Sequence, residues 1–407
     1  MTQATSNRDD LHVTTIAATS PSLAEAMRIC MLRAGLSRAS RASEWVLGNP
    51  KAWLGTVYHA VLERVSKLDL ARENLAPDLD HLWGDAVSKV YETAKEHPLD
   101  RRFGVPTTWP GYYLAWANMR LRAQQLLKEK STAVREPKCG AKGLLALPEH
   151  AFSAMGGKLT GRPDLVCEDE ILDYKTGEIF EEDSNSQGVV LKSAYVRQLH
   201  LYGYLVRETL GRTPHRGILL PVEGEPVEVP LDPTACENEA LEAVDLLDRY
   251  NAFVSEGADT KDLATPSTKN CRWCSYKGLC PSFWANGNES WFDKLDGEVA
   301  RGKMLDSPKQ TQDSQCFSLS ILIDGGTLQR TTVDISPVDA DVHPDVGALV
   351  QGDRVRITGL GRRQDGRVFP WIRTLVFREA DLPQIKVMPV SEPRELQSGG
   401  KVPVSDR

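Results

Sequence analysis

The sequence predicts an α/β chain, a mixed sheet flanked by helices, with a helical region before it and a small all-β barrel after it. Three observations carry that expectation. Apolar residues recur at helical spacing in long stretches between residues 22 and 130. After residue 140, short apolar runs alternate with Gly and Asp, as strands and turns do. Strand-like runs resume beyond residue 312, separated again by Gly and Asp.

Residues 1–20 carry no periodicity and read as a flexible arm ending at Ser20-Pro21. A unit over 21–285 follows. Its helices are expected from Ser22 to about Leu36, from Trp53 to about Leu68, and over roughly 76–97 and 111–130, the last two forming a helical insertion at about 70–135. LLALPEHAFSAMGGKLTGRPDLVCEDEILDYKTG supplies the sheet, GILLPVEGEPVEVPLD a hairpin around Glu223 and Gly224, and Val189–Glu208 and Asn238–Phe253 two further helices. Residues 286–312 read as a polar linker and 313–385 as the barrel. The tail, 386–407, is rich in Pro, Ser and Gly and is expected to be disordered.

At 407 residues the chain exceeds what one core serves. Its 41% hydrophobic and 26% charged residues exclude collagenous, coiled-coil and wholly disordered classes. No apolar stretch approaches the roughly 18 residues that span a bilayer, and the polar start does not read as a secretory signal. A cytoplasmic protein without membrane contact is therefore expected, and its eight cysteines are expected to be free, catalytic or metal-bound. A net charge of −7 argues against coating nucleic acid over the whole surface but leaves room for a local basic groove.

The most informative stretch is GRPDLVCEDEILDYKTG. Residues two apart on a strand share a face, so Asp173 and Lys175 project together, and a hairpin between Val166 and Ile171 brings Asp164 beside Asp173. Clustered carboxylates repel unless a cation sits between them, and hard ions such as Mg²⁺ or Mn²⁺ suit oxygen ligands and phosphodiester hydrolysis. A lone Asp-x-Lys also describes a solvated turn that ends a strand. Here it has company. Gly55, His59 and Glu63 form one row along a helix, from which His59 can reach a metal, although backbone bonding would also satisfy it. Gln198 and Tyr202 stack four apart on an apolar helix face that also carries Tyr195, placing an amide where packing alone would put Leu; backbone bonding is the alternative.

These segments, GTVYHAVLE, GRPD, LDYKTG and QLHLY, resemble in order the motifs of the RecB-like branch of the PD-(D/E)XK nucleases over roughly residues 20–285. The resemblance implies that His59, Asp164, Asp173 and the Tyr174 carbonyl bind Mg²⁺ or Mn²⁺, that Lys175 positions water, and that Gln198 and Tyr202 support the site. It further implies a deoxyribonuclease acting on strand ends or flaps in repair, recombination or defence against foreign DNA. Arg162 is a candidate DNA contact, and Glu149 a further carboxylate that can approach the site.

NCRWCSYKGLCP sets Cys271, Cys274 and Cys280 within ten residues, and a closed tetrahedral site needs a fourth ligand, for which Cys30 is the candidate. Four thiolates serve Zn²⁺ or a 4Fe-4S cluster, and spacing does not choose. Within the RecB-like nucleases, the AddB-type subunits and CRISPR-associated exonucleases carry one cysteine before the core and three after it, so the resemblance implies a structural 4Fe-4S clasp. Nearby Trp273, Tyr276, Phe283 and Trp284 are expected to shield it.

From Gln351 to Arg378 seven arginines face two aspartates, with Phe369, Trp371 and Phe377 interleaved. Arg354, Arg356, Arg362, Arg363 and Trp371 suit single-stranded DNA on an OB-like barrel, and equally suit packing. No GxxxxGK[ST] occurs, so any helicase would be a separate partner. A rival reading is a DNA-binding or assembly subunit of a larger nuclease, helicase or defence complex, with little activity of its own.

Overall fold

The computed structural model describes residues 10–67, 75–133, 147–148, 150–167, 169–182, 188–222, 224–313, 315–328 and 331–389. A five-stranded mixed sheet has the spatial order Val227–Pro230, Arg216–Pro221, Glu170–Lys175, Leu165–Val166, Leu147–Pro148. All neighbours are antiparallel except Glu170–Lys175 and Arg216–Pro221, which run parallel and are joined through the helix Ser193–Leu210. The expected hairpin is present, with Val166 opposite Ile171 and Leu165 opposite Leu172.

Strand alternation divides the Glu170–Lys175 strand between two cores. Ile171 packs with Leu199, Leu205 and Leu219 against the Ser193–Leu210 and Pro233–Ser255 helices. Tyr174 faces the other way, into a core built from Pro50–Lys67, Leu75–Glu96 and Tyr112–Ala133, where Leu54, Val57, Tyr58, Val61, Leu62 and Val65 form the expected stripe. Asp173 and Lys175 therefore share the Ile171 face, at the end where strand meets loop.

A third core joins the earliest residues to the late helices. Leu11–Val13 forms a short strand parallel to Ile385–Val387, and Leu11 and Val13 are buried with Leu246, Leu247 and Tyr250. That part of the expected flexible arm is ordered, because three residues of apolar-polar-apolar alternation are too few to read as a strand but enough to pair with one. The expected disordered tail over 386–407 is ordered at its start, where Lys386 and Val387 belong to the Ile385–Val387 strand, and residues 390–407 lie outside the described residues.

The helix expected from Ser22 to Leu36 is broken into Pro21–Ile29 and Met31–Leu36. Cys30 stands at the break with φ −167° and ψ 114°, extended backbone that turns its thiol toward the Leu263 carbonyl, 3.9 Å away. Residues 189–208 likewise begin with a strand, Val189–Leu191, paired with Phe180–Glu182 before the helix starts at Ser193.

The expected linker over 286–312 needs a larger correction. Glu298–Met304 is a central strand of the C-terminal seven-stranded antiparallel sheet, paired with Cys316–Gly326 on one side and Arg354–Arg362 on the other. Its charged ends disguise it: Glu298 is fully buried, accepting from the Thr327 hydroxyl and pairing with Arg362 at 3.2 Å. The remaining strands are Lys309–Gln310, Thr332–Asp339, Val368–Phe369 and Leu375–Arg378. This domain packs on the rest of the chain: Arg356 donates to the Gly278 carbonyl at 3.2 Å, Arg102 to the Thr374 carbonyl at 2.9 Å, and Phe377 lies 6.1 Å from Trp45 between ring centres.

Candidate active site

Each motif residue reaches the site by a local rule. Asp164 precedes the Leu165–Val166 strand, and the hairpin folds it back so that its Oδ2 accepts the Tyr174 N–H at 2.6 Å. The His59 helix crosses above, placing His59 Nδ1 3.3 Å from Asp164 Oδ1. That approach requires Gly55. A Cβ there would meet Thr176 Oγ1 at 2.6 Å, so glycine lets the loop after Lys175 lie against the helix. Gly161 does the same on the opposite side, where a Cβ would fall 2.6 Å from Leu205 and 3.1 Å from Tyr202.

Asp173 is 3% exposed, and Lys175 Nζ sits directly against its Oδ2. Gln198 Oε1 accepts from the same ammonium at 2.8 Å, while Gln198 Nε2 donates to the Tyr202 hydroxyl at 3.1 Å. The amide on an apolar helix face is thus explained: Tyr202 orients Gln198 and Gln198 orients Lys175. Tyr195, one turn before Gln198, lies under Lys175 with 4.7 Å from Nζ to the ring centre. The i, i+3 spacing of Tyr195 and Gln198 is the signal that finds it.

Burial pushes the Asp173 carboxyl up to about 6, with Asp164 adding to the rise and Lys175 opposing it. Burial works against charging His59, but the Asp164 and Asp173 carboxylates outweigh it and hold the imidazole above its ordinary range, Lys175 again opposing. The buried Asp173 Oδ2 has the Lys175 ammonium against it but no hydrogen bond of good geometry. Among the described residues no three His, Cys, Asp or Glu groups converge closely enough to hold an ion as they stand. What occupies the Asp173 oxygen is the Lys175 ammonium. The two carboxylates are hard oxygen donors of the kind Mg²⁺ or Mn²⁺ takes, and the imidazole is a borderline nitrogen donor beside them. Glu149 lies outside the described residues, and Arg162 is exposed beside Pro163.

The four cysteines lie around one pocket, although no three of them converge closely enough to hold an ion as they stand. Cys30, Cys271, Cys274 and Cys280 line one apolar pocket with Leu32, Arg33 and Lys277, and none forms a disulfide. Burial raises the thiols of Cys271 and Cys274 and pushes Cys280 up to about 12. Phe283 and Trp284 are buried behind the pocket, as shielding requires, but Trp273 is 60% exposed with the Arg272 guanidinium over its ring, so it does not shield.

The basic stretch is less open than its arginine count suggests. Arg354 pairs with Asp324 at 2.7 Å and Glu379 at 2.8 Å, Arg356 pairs with Glu379 at 2.8 Å, and Arg362 pairs with Asp293 and Glu298. Their charge is already matched within the protein. Arg363 stacks instead on Phe369, 5.8 Å from the ring centre, and Trp371 is 42% exposed while donating to the Gly359 carbonyl. No helix among the described residues is long and apolar enough to cross a membrane.

No curated protein matches the chain. A solved structure of an assigned exonuclease from Eubacterium rectale is 11% identical, covering 57% of this chain and 80% of its own, with a TM-score of 0.32. A second solved structure is 17% identical over 42% of this chain and 76% of its own, with a TM-score of 0.21. Likeness at that level carries no argument about the site. The family model is a different matter: that of the PD-(D/E)XK nuclease superfamily matches residues 18–281, more than half the chain and all of the motif residues from His59 to Tyr202. The chain belongs to the PD-(D/E)XK nuclease superfamily.

Proposed function

We propose that the protein is a metal-dependent deoxyribonuclease acting on single-stranded DNA ends or flaps. The observation that carries this reading is the Lys175 ammonium, held by Gln198 against the buried Asp173 carboxylate, with Asp164 and His59 beside it. His59, Asp164, Asp173 and the Tyr174 carbonyl would hold Mg²⁺ or Mn²⁺, which when bound lowers the pKa of water and offsets charge on the phosphate. Lys175 then turns from Asp173 to the attacking water and holds it in line with the leaving oxygen. A P–O bond forms to the water oxygen as the P–O bond to the leaving strand breaks, leaving a phosphate on one product and, after proton uptake, a hydroxyl on the other. Gln198 and Tyr202 keep Lys175 aimed.

The same proposal assigns Cys30, Cys271, Cys274 and Cys280 to a 4Fe-4S cluster, with Zn²⁺ as the alternative occupant. Four free cysteines around one apolar pocket are a site that gains stability when metal binds their sulfurs, and Arg33 and Lys277 offset thiolate charge. An OB-like role for the C-terminal domain, with Arg363, Trp371 and Arg162 guiding the strand, completes the reading.

The test is cleavage of end-labelled single-stranded DNA in Mn²⁺ or Mg²⁺ by anaerobically purified protein and its Asp173→Ala variant. Metal-dependent cutting that the substitution abolishes supports the reading. Wild-type protein that binds DNA and cuts it with neither metal would replace it with an assembly subunit.

A further inference from the structure

Beside the catalytic strand's end lies a cleft of about 430 Å³ that the chemistry above leaves unused. One wall is the Tyr112–Ala133 helix, contributing Leu114; the other is the hairpin formed by Phe180–Glu182 and Val189–Leu191, contributing Phe180. Leu114 is 53% exposed and Phe180 36% exposed, so both present apolar surface to the cleft. Lys175 forms the inner end and Lys51 joins the lining, with no acidic partner for Lys51 among the described residues. Glu178 is the one carboxylate among the described lining residues.

We propose that this cleft is a subsite for an unpaired nucleobase adjoining the scissile phosphate, gripped between Leu114 and Phe180, with Lys51 meeting a neighbouring phosphate. The inference rests on the nuclease reading and deepens it, because it states why a single strand is taken. Its occupant follows from position and chemistry. A phosphate reacting at Lys175 carries its own nucleotide into the adjoining space, apolar walls reward a base face, and a free lysine rewards the next phosphate. In a duplex the bases already stack on one another and offer no free face, so Leu114 and Phe180 gain nothing from it. The cleft thus selects unpaired DNA at the point of cutting.

The experiment uses a labelled oligonucleotide and matched versions carrying an abasic residue on either side of the cut, with wild type and the Leu114→Ala/Phe180→Ala double variant. Both side chains are substantially exposed, so the double variant is expected to keep the wild-type thermal midpoint. An abasic residue on one side should lower wild-type kcat/KM by roughly tenfold or more, through KM, and the double variant should lose that discrimination while cutting both substrates at the abasic rate. Equal cleavage of intact and abasic strands by wild type, or full discrimination kept by the double variant, overturns the subsite and leaves the nuclease standing. Absence of any cutting of the intact strand by wild type overturns both.

Discussion

Replacing Gly55 by Ala isolates the geometry of the site from its chemistry. The added Cβ would lie 2.6 Å from Thr176 Oγ1, whereas ordinary contact begins near 3.4 Å, so unless the Thr176 hydroxyl rotates away the loop that follows Lys175 retreats by roughly 0.8 Å. A displacement of about 1 Å at a reacting group costs up to about 100-fold in rate. We therefore expect kcat to fall between about 10-fold and 100-fold with KM little changed. Global unfolding is not the cause, because Ala at a helix interior is favoured over Gly by roughly 0.5–1 kcal/mol and the thermal midpoint should hold. Thr176→Ala removes the offending oxygen and leaves its Cβ 3.7 Å from the new methyl, an ordinary contact, so the Gly55→Ala/Thr176→Ala double variant should recover most of the loss. The assay is single-turnover cleavage of end-labelled DNA with all four proteins. An unimpaired Gly55→Ala, or an impairment that Thr176→Ala fails to relieve, refutes the reasoning.

Asp164→Asn keeps an acceptor for the Tyr174 N–H and should fold normally yet lose metal-dependent cutting, whereas Asp164→Ala also strands that N–H and should lose about 1–3 kcal/mol of stability in denaturant titration. Burial, with Arg102 adding to it, pushes His343 down to about 4, so the folded state binds its proton later than the unfolded state does at about 6.5. Its contribution to stability is complete above pH 6.5 and lost as pH falls toward 4, about 2 kcal/mol by pH 5; denaturant titrations at pH 7 and 5 should show that loss in wild type and its absence in His343→Leu. On the proposed clasp, Cys30→Ser should lower the bound iron or zinc in metal analysis and lower the thermal midpoint, since a link from Cys30 to Cys271 closes a loop whose entropy amounts to about 5 kcal/mol.

The arrangement of the candidate site was legible because it obeys short periodicities. Asp173 and Lys175 share a strand face, Gln198 and Tyr202 a helix face, and the Val166–Ile171 hairpin brings Asp164 across. What escaped depends on residues far away in the chain. AMRICMLR has no local reason to stop being a helix at Cys30; the break arises where that thiol joins a pocket with cysteines some 240 residues later. EVARGKM looks like a linker because its burial is made possible by Thr327 and Arg362, which come later in the sequence. The arginines from 354 to 362 look like an open basic face until Asp324, Glu379, Asp293 and Glu298 are folded onto them. Charge counts read the unfolded chain, whereas pairing is a property of the fold.

On the proposed chemistry, Lys175 holds the place of a metal ion at Asp173 and serves the attacking water once the ion is bound. Mn²⁺ affinity and Mn²⁺-dependent cleavage of end-labelled single-stranded DNA, measured on the same preparations of wild type and Lys175→Met, test it most directly. Removing the ammonium from the Asp173 oxygen should leave Mn²⁺ bound at least as tightly while abolishing cleavage. A Lys175→Met protein that cuts at the wild-type rate, or a wild type that binds Mn²⁺ and cuts nothing, would contradict the account.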